Sequence, residues 1–135
     1  MMHDSVPLAR SMLTAIDCSD PVGLAEFYAP IVGGRIHRFE FGASGDCGWV
    51  ELRDGDVRLL AFQKVDDHVA PSWPTGGHPQ QMHLDFEVEG LDSGEEFVVA
   101  LGATKSAVQP GTTFRVFLDP EGHPFCLVMP GALDE

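Results

Sequence analysis

The segment Gln81-Met82-His83-Leu84-Asp85-Phe86-Glu87-Val88 places a histidine and a carboxylate two positions apart in an alternating run. Successive side chains of a strand point to opposite faces, so His83 and Asp85 share one face. A carboxylate inside an apolar strand must be paired, coordinated or solvated in a cavity, because burying it alone is expensive. The two residues therefore read as a general acid/base pair or as a static hydrogen-bonded pair. Cys126 stands between Phe125 and Leu127 in a second apolar run. A thiol in that setting is ordinarily a small buried hydrophobe with a raised pKa. Trp49, Glu51 and Arg53 alternate on one strand face, where they line a cavity or form a solvated surface. Trp73 lies in a Pro- and Gly-rich stretch, and an aromatic on a long crossing loop can roof a pocket.

Several other chemistries have no carrier. There is no G-x-x-x-x-G-K-[ST] or G-x-G-x-x-G phosphate loop, no G-x-S-x-G nucleophile elbow and no C-x-x-C pair. Lys and Arg number 8 against 21 Asp and Glu, a net charge of −13. Nucleic acids and anionic membranes both require the opposite balance. The acidity favours a cationic ligand by steering. Three cysteines, an odd number, argue against a disulfide framework and suit a reducing cytoplasm. Met1 to Arg10 carries no basic, then apolar, secretory pattern, and no apolar run approaches about 18 residues.

The 135 residues fit one domain, given roughly 100–200 residues per domain. Leu13 to Cys18 reads as a buried strand leading into a helix capped by Asp20, with Pro21 at its first position. Leu24, Phe27, Tyr28 and Ile31 form its apolar stripe, and Gly33-Gly34 stops it. Strands are expected over Arg35 to Gly42, Gly48 to Arg53 and Val57 to Val65, the last two joined by an Asp54-Gly55 hairpin turn. Asp66 to Gln81 is aperiodic and reads as a linker. A strand over Met82 to Val88, a helix over Leu91 to Leu101, and strands over Phe114 to Leu118 and Phe125 to Met129 follow. A shift of 69 aligns Gly33 with Gly102, Tyr28 with Phe97 and Thr14 with His83. One βαβββ unit thus occurs twice in an α+β domain over residues 8–132, with modules at about 10–65 and 82–130 joined by a linker at 66–81. Of the aromatics, Trp49, Phe41, Phe62, Phe117 and Phe125 are expected mainly in the core.

The opening of the second unit, its Leu101-Gly102-Ala103 helix end, and the closing Phe117-Leu118-Asp119-Pro120-Glu121-Gly122-His123-Pro124-Phe125-Cys126-Leu127-Val128 resemble the vicinal oxygen chelate superfamily. The resemblance is to its small glyoxalase-like, bleomycin-resistance-like domains. It implies two βαβββ modules forming a cup around a small-molecule site, and commonly a homodimer. Metal-dependent members hold a divalent ion with histidines opening each module and one or two glutamates. Carried over, that set is incomplete. His83 matches, Thr14 or its neighbour offers no histidine, Cys126 stands where the closing glutamate belongs, and Leu59, Ala61 and Gln63 offer only Gln63. Asp85 and Cys126 could join His83 on a softer ion. The resemblance therefore implies a cytoplasmic protein binding a small organic molecule without a conventional metal, through His83, Asp85, Gln63, Glu51, Trp73 and Cys126, in the manner of sequestering resistance proteins. The alternatives are a lyase, isomerase or dioxygenase-like enzyme, using a divalent ion on His83 or metal-free chemistry by His83 and Asp85, and a purely structural or regulatory domain. His123, in the turn, is expected to be structural; His68 and His78 lie in the linker, where they could approach the mouth of the cup, and are not counted among the site residues.

Overall fold

The computed structural model describes residues 6–40 and 47–131. Their order is β1 (Ala15–Cys18), α1 (Pro21–Val32), β2 (Arg35–Glu40), β3 (Cys47–Asp54), β4 (Val57–Lys64), β5 (Leu84–Glu87), α2 (Leu91–Leu101), β6 (Thr104–Lys105), β7 (Phe114–Leu118) and β8 (Pro124–Val128). The strands form two four-stranded sheets of order β1-β4-β3-β2 and β5-β8-β7-β6. In each, the first strand runs parallel to the last and the other pairs are antiparallel. The two halves therefore share one βαβββ connectivity, as the internal repeat predicts.

Local chemistry fixes the first helix. Asp20 accepts a hydrogen bond from Gly23 N at 3.1 Å, and Pro21 occupies a position where a missing N–H costs nothing. Gly33, at φ 85°, returns its N–H to the Ala29 carbonyl. Leu24, Phe27 and Tyr28 are buried and Ile31 packs half-buried beside them. They meet Cys18, Val50, Leu52, Leu60 and Phe62 on one face of the first sheet. The same core continues into Val98, Phe117, Phe125 and Leu127 of the second module, with Phe27 and Phe125 ring centroids 5.9 Å apart. One core therefore spans both modules.

Four details differ from the sequence expectations. The hairpin loop is Gly55-Asp56, one residue later than expected: Asp54 still pairs with Val57, and Gly55 takes φ 60°, as a two-residue loop with glycine first requires. β6 is only two residues long, too short for any periodicity to reveal, yet it completes the second module. β5 begins at Leu84, leaving His83 at the strand entrance. The offset between modules is 91 − 21 = 70 at the helix starts but 102 − 33 = 69 at the capping glycines, because α1 has 12 residues and α2 has 11. Core-facing Cys18 thus corresponds to Val88, and the first-module counterpart of His83 is Leu13 rather than Thr14. Phe41, Gly42 and Ala132 lie outside the described residues.

Candidate functional site

Each sheet has one face on the core and one turned away from it. On the second sheet, Asp85 pairs with Cys126 in the parallel β5–β8 register. His83 Nε2 lies 3.1 Å from Asp85 Oδ1, both side chains being more than one-third exposed. Cys126 is buried at 8 % exposure, and its thiol is pushed up to about 12 by burial first, then by the charge and hydrogen bond of Asp85. One ligating atom from each of His83, Asp85 and Cys126 falls within 4.8 Å of the other two.

These three side chains border a cavity of about 440 Å³. Its other walls are Trp73, Gln80, Thr113, Phe114, Val116, Pro124 and Val128. Trp73 and Phe114 pack on the buried cluster of Val116, Cys126 and Val128, so the linker tryptophan stands against the sheet. Gln80 Oε1 is buried with no hydrogen-bond partner among the described residues. Phe114, Val116 and Val128 line it because the strand period of two places them on the face of Cys126, an alternation present in the sequence. No sequence signal singles out Gln80. A second cavity of about 580 Å³ shares Gln80, His83 and Pro124 with the first and continues between β1, β5 and the linker, past His68, His78 and His123.

Glu51 and Gln63 lie elsewhere, on the first sheet, and line neither cavity. Glu51 is 4 % exposed and fully engaged. It accepts from Trp49 Nε1 at 2.8 Å and Arg53 Nε at 2.7 Å, with Arg58 Nη1 at 3.8 Å. Burial opposes its charge, but these donors and the arginine charges hold its pKa below the usual carboxylate value. Its alternation with Trp49 and Arg53 is therefore a packed ion-pair motif. Gln63 is exposed and pairs in register with Asp17 and Trp49.

The Asp119–His123 turn ties the modules together. Asp119, 4 % exposed, accepts from the Tyr28 hydroxyl at 2.7 Å, from the backbone N–H groups of Glu121 and His123, and from His123 Nδ1 at 2.8 Å. His123 Nε2 lies 2.7 Å from the Asp17 carbonyl, so both ring nitrogens face acceptors, the arrangement of an imidazolium. Burial lowers the His123 pKa, but the Asp119 hydrogen bond and charge outweigh it and leave it raised. Glu121 accepts from Ser19 N, Ser19 Oγ and Asp20 N at 2.6, 2.6 and 2.8 Å.

The donors fit the superfamily's divalent-ion set poorly. A hard ion wants several oxygens converging from both modules. Here the first module contributes no histidine, its buried glutamate is consumed by Arg53 and Trp49, and the closing position holds Cys126. What converges is one nitrogen, one carboxylate oxygen and one sulfur, all from the second module.

Comparison with known proteins agrees with this architecture. No curated protein matches the chain in sequence. Among solved structures, a glyoxalase family protein from Enterococcus faecalis is 23 % identical, with a TM-score of 0.62 over 88 % of this chain and 97 % of that one. A genomically encoded fosfomycin resistance protein from Listeria monocytogenes is 14 % identical, with a TM-score of 0.64 over 95 % and 98 %. An antibiotic-binding protein from Streptomyces sp. CB03234 is 19 % identical, with a TM-score of 0.54 over 93 % and 99 %. The pattern of the glyoxalase-like domain matches residues 14–128, and with two βαβββ modules around one core the chain belongs to that family of the vicinal oxygen chelate superfamily.

Proposed function

We propose that this protein binds a small organic molecule in the cavity beside His83, Asp85 and Cys126, as a sequestering, resistance-type member of its family. The cavity itself carries the reading. At about 440 Å³ it falls within the roughly 300–1,000 Å³ of ordinary small-molecule sites. Its walls join apolar and aromatic surface from Trp73, Phe114, Val116 and Val128 to a few polar groups, His83, Asp85 and Gln80. The unpartnered Gln80 Oε1 calls for a donor, which a ligand N–H or O–H supplies. Trp73 stacks a flat or apolar body, and Asp85 within a chain of net charge −13 favours a cationic one. The fosfomycin-resistance and antibiotic-binding proteins of the same fold make antibiotics the first ligands to try. A cytoplasmic homodimer is the expected form, with the exposed Gln63 on the first module's outward face available to a partner copy. Among the described residues no helix is long and apolar enough to cross a membrane.

Titration of bleomycin, fosfomycin and cationic polycyclic aromatics against tryptophan fluorescence tests the proposal. Saturable quenching in the wild type, lost in Trp73→Ala and weakened by salt for the cationic ligands, is expected. Absence of saturable binding across such a panel would end the sequestration reading. One observation favours a second reading, an enzyme: the 3.1 Å contact between His83 and Asp85 suits proton transfer at the cavity wall. Turnover of a bound ligand that stops in His83→Ala and in Asp85→Asn would establish it.

A further inference from the structure

We propose that the second cavity, the cleft of about 580 Å³ between β1 and β5, is a binding site for a short, extended, basic peptide. This goes beyond the small-molecule reading, which rests on the first cavity alone. β1 is the outer strand of one sheet and β5 the outer strand of the other, and each pairs on one side only, β1 with β4 and β5 with β8. Residues 14–17 and 81–84 line the cleft. An unpaired strand edge presents a row of backbone donors and acceptors, the template on which an extended peptide adds as a further strand.

The hydrogen bonds of β1 show which of its backbone groups are free. Ala61 N–H donates to the Thr14 carbonyl and Val65 N–H to the Cys18 carbonyl, each at 2.9 Å. Thr14, Ile16 and Cys18 therefore turn their backbone groups toward β4, and Ala15 and Asp17 turn theirs to the open edge. His123 Nε2, 2.7 Å from the Asp17 carbonyl, bears out that direction and closes one end of the edge. The N–H and carbonyl of Ala15 and the N–H of Asp17 are left to a ligand. β1 spans about 13 Å at the usual strand rise, the length of a peptide of three or four residues.

The walls supply the rest of the recognition. Gln80 Oε1, buried without a partner among the described residues, borders this cleft as well as the first cavity, and an amide N–H of a peptide satisfies it. Val69 and Met82 stand exposed along the walls and offer apolar surface to side chains that alternate along an extended chain. The charged groups select the sign of the ligand. Among the described residues the walls hold the exposed carboxylate of Asp17 and no Lys or Arg, and the one imidazolium, His123, is already neutralised by Asp119. A chain of net charge −13 adds long-range attraction for a cation.

The test titrates the full chain by calorimetry with the tetrapeptide Lys-Val-Lys-Val amide, with the same peptide methylated at its three peptide nitrogens, and with Glu-Val-Glu-Val amide. Saturable one-to-one binding of the first is expected, weakened roughly tenfold by N-methylation, the worth of one or two neutral hydrogen bonds, and lost for the acidic peptide. Amide hydrogen exchange at Ala15 and Asp17 should slow when the basic peptide binds. Ala15→Pro deletes an N–H that β4 does not use, a change that an edge strand tolerates, and should weaken binding about fivefold with unaltered circular dichroism. Asp17→Asn should weaken the basic peptide in the same way. Trp73→Ala, which removes the roof of the first cavity, should leave peptide binding unchanged. No saturable binding of the basic peptide, affinity indifferent to N-methylation, or equal binding of the acidic peptide would each overturn the site. So would peptide binding that survives Ala15→Pro and is lost in Trp73→Ala, since it would belong to the first cavity.

Discussion

Tyr28 and Asp119 come from different modules, and the 2.7 Å hydrogen bond between them is buried. Because Asp119 also serves His123 and two backbone N–H groups, Tyr28→Phe leaves the carboxylate partly satisfied. A loss of about 1.5–2 kcal/mol of unfolding free energy is expected, the lower part of the range for a bond to a charged group, and urea denaturation measures it. Arg53→Ala is the harsher change. It strips Glu51, a carboxylate 4 % exposed, of its closest ion pair at 2.6 Å, and should cost about 3 kcal/mol because a buried charge keeps only the Trp49 hydrogen bond and Arg58 at 3.8 Å. A smaller loss than that of Tyr28→Phe would mean that Trp49 and Arg58 suffice to hold it. His83 and Asp85 were legible as a pair from their spacing alone. Gln80 was not, since nothing about a glutamine in a Pro-rich linker distinguishes a cavity wall from open surface.

At the scale of elements, the turn between β7 and β8 acts as a clamp on the start of α1. Glu121 receives the backbone N–H groups of Ser19 and Asp20, which a helix entrance otherwise leaves to water. Gly122 makes the clamp possible. It takes φ +90°, and a Cβ there would stand 2.5 Å from Ala70 Cβ of the linker. Gly55 also has positive φ, +60°, but open space around it. Gly55→Ala should therefore cost only the left-handed penalty of about 1–2 kcal/mol, while Gly122→Ala adds a clash to that penalty and should lower Tm further. Equal shifts in thermal melts would refute the clash. Helix caps and strand alternation were readable because they depend on neighbours within a few residues. The two-residue β6, and the one-residue difference in helix length that moves the counterpart of His83 from Thr14 to Leu13, leave no such local trace.

For the whole molecule, one core and one clamp join the modules, so they should unfold together in a single transition. The clamp also makes stability depend on pH from both sides. The His123 pKa is raised above its ordinary 6.5 in the fold, so its contribution is complete below that value and is lost as pH rises through the folded pKa. Burial raises the Glu121 pKa, but its bonds to Ser19 and Asp20 outweigh this and leave it lowered from 4.5, so its contribution is present above that value and is lost as pH falls through the folded pKa. Denaturation midpoints measured across pH should decline as pH rises above 6.5 and through the raised folded pKa, and His123→Gln should flatten that decline. A decline unchanged in the variant would assign it to another group.

The sequence by itself determined the duplication, the helix boundaries, the acidic character and the shared face of His83 and Asp85, because each follows from composition or from the short periods of helix and strand. Only the tertiary structure decided what those faces meet. Glu51 and Asp85 are both carboxylates on alternating strands, yet one is closed off by Arg53 and Trp49 while the other stands beside Cys126 at a cavity. That difference rests on strand register and on the path of the linker that carries Trp73 and Gln80. Both are contacts between residues distant in the chain, and no local pattern encodes them.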